Sequence, residues 1–194
     1  MTATITAKLV SIDGDLLRRA LKAALCAVDN DSARAHLWGV CFSSKDGKLR
    51  INATNGHWLL DYVSDVECPE IGEVILDKDT VKTLINFVGK APNVMLTFEG
   101  KLVTVNANGN IATYVRVDAK YPTVDQVIPR AKGAIESIGV SAKYLVDVGK
   151  AFDTLNESKI ATVTRMTFKS DLDPIVFDSD KVPGLKAVLM PCRI

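Results

Sequence analysis

Three times over, at a spacing of about 65 residues, the sequence repeats one order of signals. Each pass has an extended run, an amphipathic helix and three further extended runs separated by short turns. Such a unit cannot bury both its helix stripe and its strand faces alone. Repeats must therefore pack together with helices on one face of antiparallel sheets, an α+β architecture. The first pass begins with a strand over 5–10. Asp13, Gly14 and Asp15 then open a helix in which Leu17, Ala20, Leu21, Ala24 and Val28 recur at helical spacing. Strands are expected over 36–43, 49–54 and 58–66, with Asp46-Gly47 and Asn55-Gly56 turning the two hairpins through positive φ angles.

The second pass places a strand over 73–76, Asp77 as N-cap of a helix reaching about Lys90, and strands over 94–98, 102–107 and 111–117. Val81, Leu84, Ile85 and Val88 form that helix's apolar stripe. The third places a strand over 135–140, Ser141 as N-cap, and a helix lined by Leu145, Val148, Phe152 and Leu155 and ending near Asn156. Strands over 161–168, 175–177 and 187–190 close the chain. Residues 119–134, with Pro122, Pro129 and Gly133, read as the connector before the third pass.

Several function classes are excluded or disfavoured. The 194 residues are 47% hydrophobic and 24% charged, ordinary for a globular protein and unlike a disordered or fibrous one. No apolar run approaches the roughly 18 residues that span a bilayer. The first ten residues lack a basic start and a long apolar core, so a cytosolic chain is expected, with Met1 reading as a natural start. Net charge is +1, which argues against a static, high-affinity grip on phosphates. Cys26, Cys41, Cys68 and Cys192 form no C-x-x-C pair and read as reduced, mostly buried thiols; with only His36 and His57 besides, no metal or other cofactor is implied. No phosphate-cradling glycine motif occurs. His57 as a general base beside Asp61 is the best catalytic arrangement on offer. The two share a strand face four residues apart, too far for a direct hydrogen bond, and no nucleophile accompanies them, so no enzyme is expected.

Two features point to binding. The tail from Val188 to Ile194 is apolar to its end, where tails are usually polar, and Met190 is an adaptable contact of the sort found in peptide grooves. Each helix also sets basic residues apart from its apolar stripe: Arg18, Arg19 and Lys22, then Lys78 and Lys82, then Lys143 and Lys150. Interspersed Asp15, Asp79 and Asp147 make a plain solvated face the simpler reading of composition alone.

At three places the sequence resembles the bacterial DNA polymerase III beta subunit, the sliding clamp. Residues 53–59 (ATNGHWL) are similar to that family's ATDGHRL hairpin, and 121–129 (YPTVDQVIP) to its F-P-x-x-x-x-V-L-P connector. Residues 188–194 (VLMPCRI) are similar to its terminal V-V-M-P-M-R-L. The resemblance implies domains of two repeats each, with helices lining a hole around duplex DNA and sheets outside, and a function that is topological. It implies weak sliding contact through Arg18, Arg19, Lys22, Lys78, Lys82, Lys143 and Lys150. It also implies a groove for short peptides of a polymerase, a clamp loader or repair proteins. That groove would be built from Leu37, Thr54, Gly56, His57, Trp58 and Leu59, from Pro122, Gln126 and Val127, and from Val188, Leu189, Met190, Pro191, Cys192 and Arg193. Asn55, Trp58 and Gln126 depart from the family's Asp, Arg and Arg, which puts the peptide preference in question.

Length departs further. The resemblance implies one complete domain over 1–118, a connector over 119–130 and a lone half-domain over 131–194, where family members have three domains. A ring of twelve repeats would then need four chains. Neighbouring repeats alternate in direction, so head-to-tail closure fails; pairing third repeats with third and first with first about twofold axes gives a dihedral homotetramer. Two functions are carried forward: a sliding clamp that tethers a polymerase to DNA, and a clamp-like decoy, adaptor or regulator that binds clamp-binding peptides without encircling DNA.

Overall fold

In the first repeat β1 (Lys8–Asp13) runs straight into α1 (Gly14–Leu25), followed by β2 (Gly39–Lys45), β3 (Lys48–Thr54) and β4 (Trp58–Glu67). The second has β5 (Val74–Asp77), α2 (Lys78–Val88), β6 (Asn93–Glu99), β7 (Leu102–Ala107) and β8 (Asn110–Val115). A 3-10 turn at Val124–Gln126 marks the connector, and the third repeat supplies α3 (Ala142–Leu155), β9 (Arg165–Thr167), β10 (Ile175–Asp178) and β11 (Leu185–Leu189). The structure, a computed structural model, describes residues 7–29, 31–128, 137–158 and 162–192.

Local chemistry explains most boundaries. Asp13 Oδ1 accepts from Leu16 N at 2.8 Å, and Asp77 Oδ1 from Asp79 N and Thr80 N at 3.0 and 2.9 Å, so both helices start on side-chain caps. Ser141 occupies the N-cap of α3 but makes no such bond. The strand expected from 36 begins at Gly39, because Leu37 N and Trp38 N turn back onto Arg34 O. Asp46 and Gly47 adopt φ of 52° and 76°, as a two-residue hairpin requires. At the second hairpin only Gly56 is left-handed, at φ 84°. Asn55 instead accepts from His57 N and Trp58 N through Oδ1, an Asx turn that removes the need for a positive φ there. The strand expected over 135–140 is, within its described part, one isolated bridge between Gly139 and Cys192, and that expected over 161–168 shortens to β9.

Pairing is exchanged between the first two repeats. β1 adds to β6 in a four-stranded sheet, β1-β6-β7-β8, while β5 adds to β2. The second sheet continues through β4 into the third repeat, giving β5-β2-β3-β4-β11-β10-β9. At the β4–β11 seam Val63 N donates to Gly184 O at 3.0 Å, and Gly184, at φ 82°, approaches so closely that a Cβ there would lie 2.0 Å from Val63 O. The first repeat's last strand is thus already engaged. This corrects the expectation that first repeats meet across a twofold axis through that strand: β8 of the second repeat and β9 of the third each end a sheet, opposite the ends closed by β1 and β5.

One core fills the space between the helices and both sheets, with Leu17, Leu21, Phe42, Ile51, Leu76, Val81 and Phe152 buried in it. A smaller cluster lies on the other face of the seven-stranded sheet, where Tyr121 and Val124 of the connector pack on Cys41, Leu59, Ile75 and Val188. Burial holds the Cys41 thiol up at about 12 and Cys68 at about 11, so both stay protonated near neutrality. Cys26 is half-buried and Cys192 exposed, and all four are free thiols. Among the described residues no helix is long and apolar enough to cross a membrane, and no group of three or more His, Cys, Asp and Glu could hold a metal ion.

Candidate functional site

The β3–β4 hairpin is held by its own side chains. Thr54 Oγ1 donates to Trp58 O at 2.8 Å and accepts from Gly56 N at 3.1 Å. His57 O in turn accepts from Met190 N at 2.9 Å, and Leu59 stands opposite Val188 across the seam, so the hairpin fixes the start of the C-terminal tail. Between them, and roofed by the connector, opens a cavity of about 260 Å³. Leu37, Thr54, Gly56, His57, Trp58, Leu59, Pro122, Val127, Val188 and Met190 line it, joined by His36 and Val124. A second cavity of about 530 Å³ shares Val127 and Met190 and adds Gln126, Asp125, Ile128, Lys169, Asp173 and Pro174. The two form one groove with a mostly apolar deep end and a charged outer end.

Most of the residues singled out in the sequence meet here, with exceptions. Leu189 is fully buried in the main core on the other face of the sheet, and so is the side chain of Trp58, its partner across the seam, because neighbouring strand residues alternate sides; Trp58 therefore borders the cavity without sharing the groove face of Leu59 and Val188. Pro191 and Cys192 line neither cavity; Cys192 N donates instead to Gly139 O at 2.8 Å. Arg193 lies outside the described residues. His36, Val124, Asp125, Ile128, Lys169, Asp173 and Pro174 were not anticipated. Val124 and Ile128 fall within the connector motif, two residues either side of Gln126, so that motif pointed to their neighbourhood; nothing local marks the 169–174 loop.

A buried charge network aims the connector. Arg50 is 7% exposed and grips Asp61 through Nε at 2.7 Å and Nη2 at 2.9 Å, while Asn52 Nδ2 donates to the same carboxylate at 2.7 Å. Arg50 also donates to Asp125 through Nη1 and Nη2, both at 3.0 Å, and Lys45 Nζ reaches Asp125 at 2.7 Å. These bonds hold the Asp125 carboxyl down at about 2, well below its ordinary value. The network also answers the His57–Asp61 question: Asp61 belongs to Arg50, and His57 stacks on Tyr144 of α3 with ring centroids 5.1 Å apart. Tyr121 is 3% exposed, its hydroxyl has no hydrogen-bond partner among the described residues, and burial pushes its pKa well up.

The basic helical residues are less uniform than the sequence implied. Arg19 is turned aside: it donates to Leu155 O at 2.7 Å and pairs with Glu157 and Asp15, tying α1 to the end of α3. Arg18 also pairs with Asp15, Lys82 with Asp79 at 2.9 Å and Lys150 with Asp147 at 3.7 Å. Lys143 Nζ sits 5.8 Å from the Tyr144 ring centre. Lys22 is exposed and Lys78 half-buried.

Against known proteins, the family model for the central domain of the DNA polymerase III beta subunit matches residues 11–123, more than half of the chain. The chain belongs to the DNA polymerase III beta subunit family. Among solved structures, the beta subunit of Thermotoga maritima superposes with a TM-score of 0.81 at 17% identity, over 100% of this chain and 68% of that one. The sliding clamp of Pseudomonas aeruginosa gives 0.82 at 17% identity, over 100% and 69%, and that of Bacillus subtilis 0.80 at 16%, over 100% and 66%. By sequence, no curated protein matches. This beta-family member therefore has the clamp fold throughout, and its 194 residues span about two thirds of those chains.

Proposed function

We propose that this protein is a DNA sliding clamp: a non-enzymatic ring around duplex DNA that tethers a polymerase and other partners through the groove at the hairpin, connector and C-terminal strand. The observation that carries this reading is the unbroken seven-stranded sheet across the β4–β11 seam. It makes the chain an arc whose two end strands, β8 and β9, have one free edge each among the described residues. Contacts along the arc alternate in kind: an exchange of first strands within 1–118, then a seam of last strands into the half-domain. Continuing that alternation pairs second repeats through β8 and third repeats with each other. Four chains then close twelve repeats with dihedral symmetry. The groove suits an extended peptide whose apolar side chains enter the deep end.

The ion-paired helical face suits loose sliding, since paired lysines release few counterions. It also favours a second reading, an adaptor that binds clamp-binding peptides without encircling DNA. One experiment separates them. A ring has a native mass near four times the 21.0 kDa chain, stays on nicked circular DNA and slides off once the circle is cut. An adaptor still binds the peptide but shows neither the mass nor the topological retention.

A further inference from the structure

The third repeat carries both halves of an unfinished exchange. In the first two repeats neither first strand joins the strand ladder of its own repeat, an isolated bridge from Ile75 to Val117 aside. β1 pairs antiparallel with β6 and β5 with β2, and in each case the helix N-cap stands opposite the first residue of the receiving strand: Asp13 opposite Asn93, Asp77 opposite Gly39. The third repeat has the same parts. Gly139 O accepts from Cys192 N at 2.8 Å, as Ile75 O accepts from Val117 N at 2.8 Å, and each lies two residues before its N-cap. Residues 138–140 therefore hold the place of β5. Yet among the described residues nothing plays β2 to them, and nothing plays β1 to β9, the outermost strand of its sheet.

Side chains agree with the backbone. Met166 on β9 stands opposite Phe177, which is core, so Met166 faces the core side while remaining 47% exposed. Eight residues after the N-cap, α1 has Leu21 and α2 has Ile85, both buried; α3 has Gly149, exposed, where an added Cβ would meet nothing within 4 Å. A glycine there weakens the free helix but lets another backbone come close. Arg165 is already paired with Asp178 and Asp180, so its charge does not bar strand addition at this edge.

We propose that two copies of the chain complete one domain from their third repeats, each laying its 138–140 segment along the other's β9. One copy offers both the strand and the edge, so a twofold axis satisfies both at once, which a foreign partner would do only by imitating the chain itself. This deepens the ring reading by naming one of its two contacts, and it holds equally for a dimer that never closes.

The test combines native mass spectrometry and amide hydrogen exchange on the full chain. Expected are a complex of at least two chains and β9 amides that exchange roughly a hundredfold slower when associated than on dilution to monomer. Met166→Glu, solvated in the monomer but buried in the completed domain, should halve the tetramer to a dimer and speed β9 exchange, while β6 and β7 keep their protection; Met166→Leu should keep the complex. Dilution of the unmodified chain gives the same readout if Met166→Glu fails to fold. A tetramer with fast β9 exchange overturns the strand exchange and leaves the ring standing. A dimer with protected β9 and no retention on circular DNA supports the exchange and overturns the ring. A monomer at all concentrations overturns both.

Discussion

His57 lies flat against Tyr144, planes 15° from parallel, so the hairpin that lines the groove rests on α3 of the third repeat. The stack, Met190's bond to His57 O and the β4–β11 seam all join the first repeat to the third. Tyr144→Ala should destabilise the chain by about 1 kcal/mol, the usual worth of an aromatic pair. A double-mutant cycle with His57→Ala, read by urea denaturation, should return a coupling of that order; independent, additive losses would show that the rings merely lie near each other.

Arg50 is the residue the connector depends on. Arg50→Met leaves Asp61 buried without its cation and should cost about 3–5 kcal/mol in urea denaturation. Asp125→Asn removes a charge from a carboxylate that is 52% exposed, so its cost should stay near 1 kcal/mol after solvent screening. It should nonetheless loosen residues 121–128 and weaken peptide binding several-fold, since Val124 and Val127 lose their anchor.

The same carboxyl gives a pH window. Its folded pKa, about 2, lies below the unfolded 3.8. Its contribution is therefore fully present well above pH 3.8 and is lost as pH falls through the window toward 2. Amide resonances of Val124 to Val127 should titrate across that window in the unmodified chain and not in Asp125→Asn.

Gly184 sets the seam. Any side chain there meets Val63 O at 2.0 Å and a left-handed φ besides, so Gly184→Ala should cost at least about 1–3 kcal/mol and part β11 from β4. Hydrogen exchange should locate the loss at Tyr62, Val63 and Leu185, with the β1–β8 sheet unchanged.

Met190 and Val127 are about 40% exposed and lie where the two cavities join. Met190→Glu and Val127→Asp should each leave the melting temperature nearly unchanged and weaken a fluorescent clamp-binding peptide at least tenfold, by anisotropy. Pro191→Ala, outside both cavities, should change binding little.

The repeat architecture was readable because helix stripes and alternating strands are local patterns, and Asp13 and Asp77 announce their helices by chemistry alone. Strand exchange was not readable: β1 has the same inward-facing residues whether it joins β2 or β6, and only the folded chain chooses. The β4–β11 seam is equally hidden in the sequence, and it is this seam that takes up the last strand of the first repeat. In the groove, the hairpin, Pro122, Val127, Val188 and Met190 followed from short motifs. The terminal motif also implies Leu189, against the two-residue alternation that turns it into the core. Arg19 is legible as basic, but its turn toward Leu155 O depends on a contact 136 residues away.

An odd number of repeats per chain has a consequence for direction. In the ring proposed above, copies that meet like to like would give a collar with no front and no back, so two docking clefts would open toward one end of the duplex and two toward the other. A polymerase held by such a collar would take its heading from the primer terminus alone, and threading the collar either way round would give the same machine.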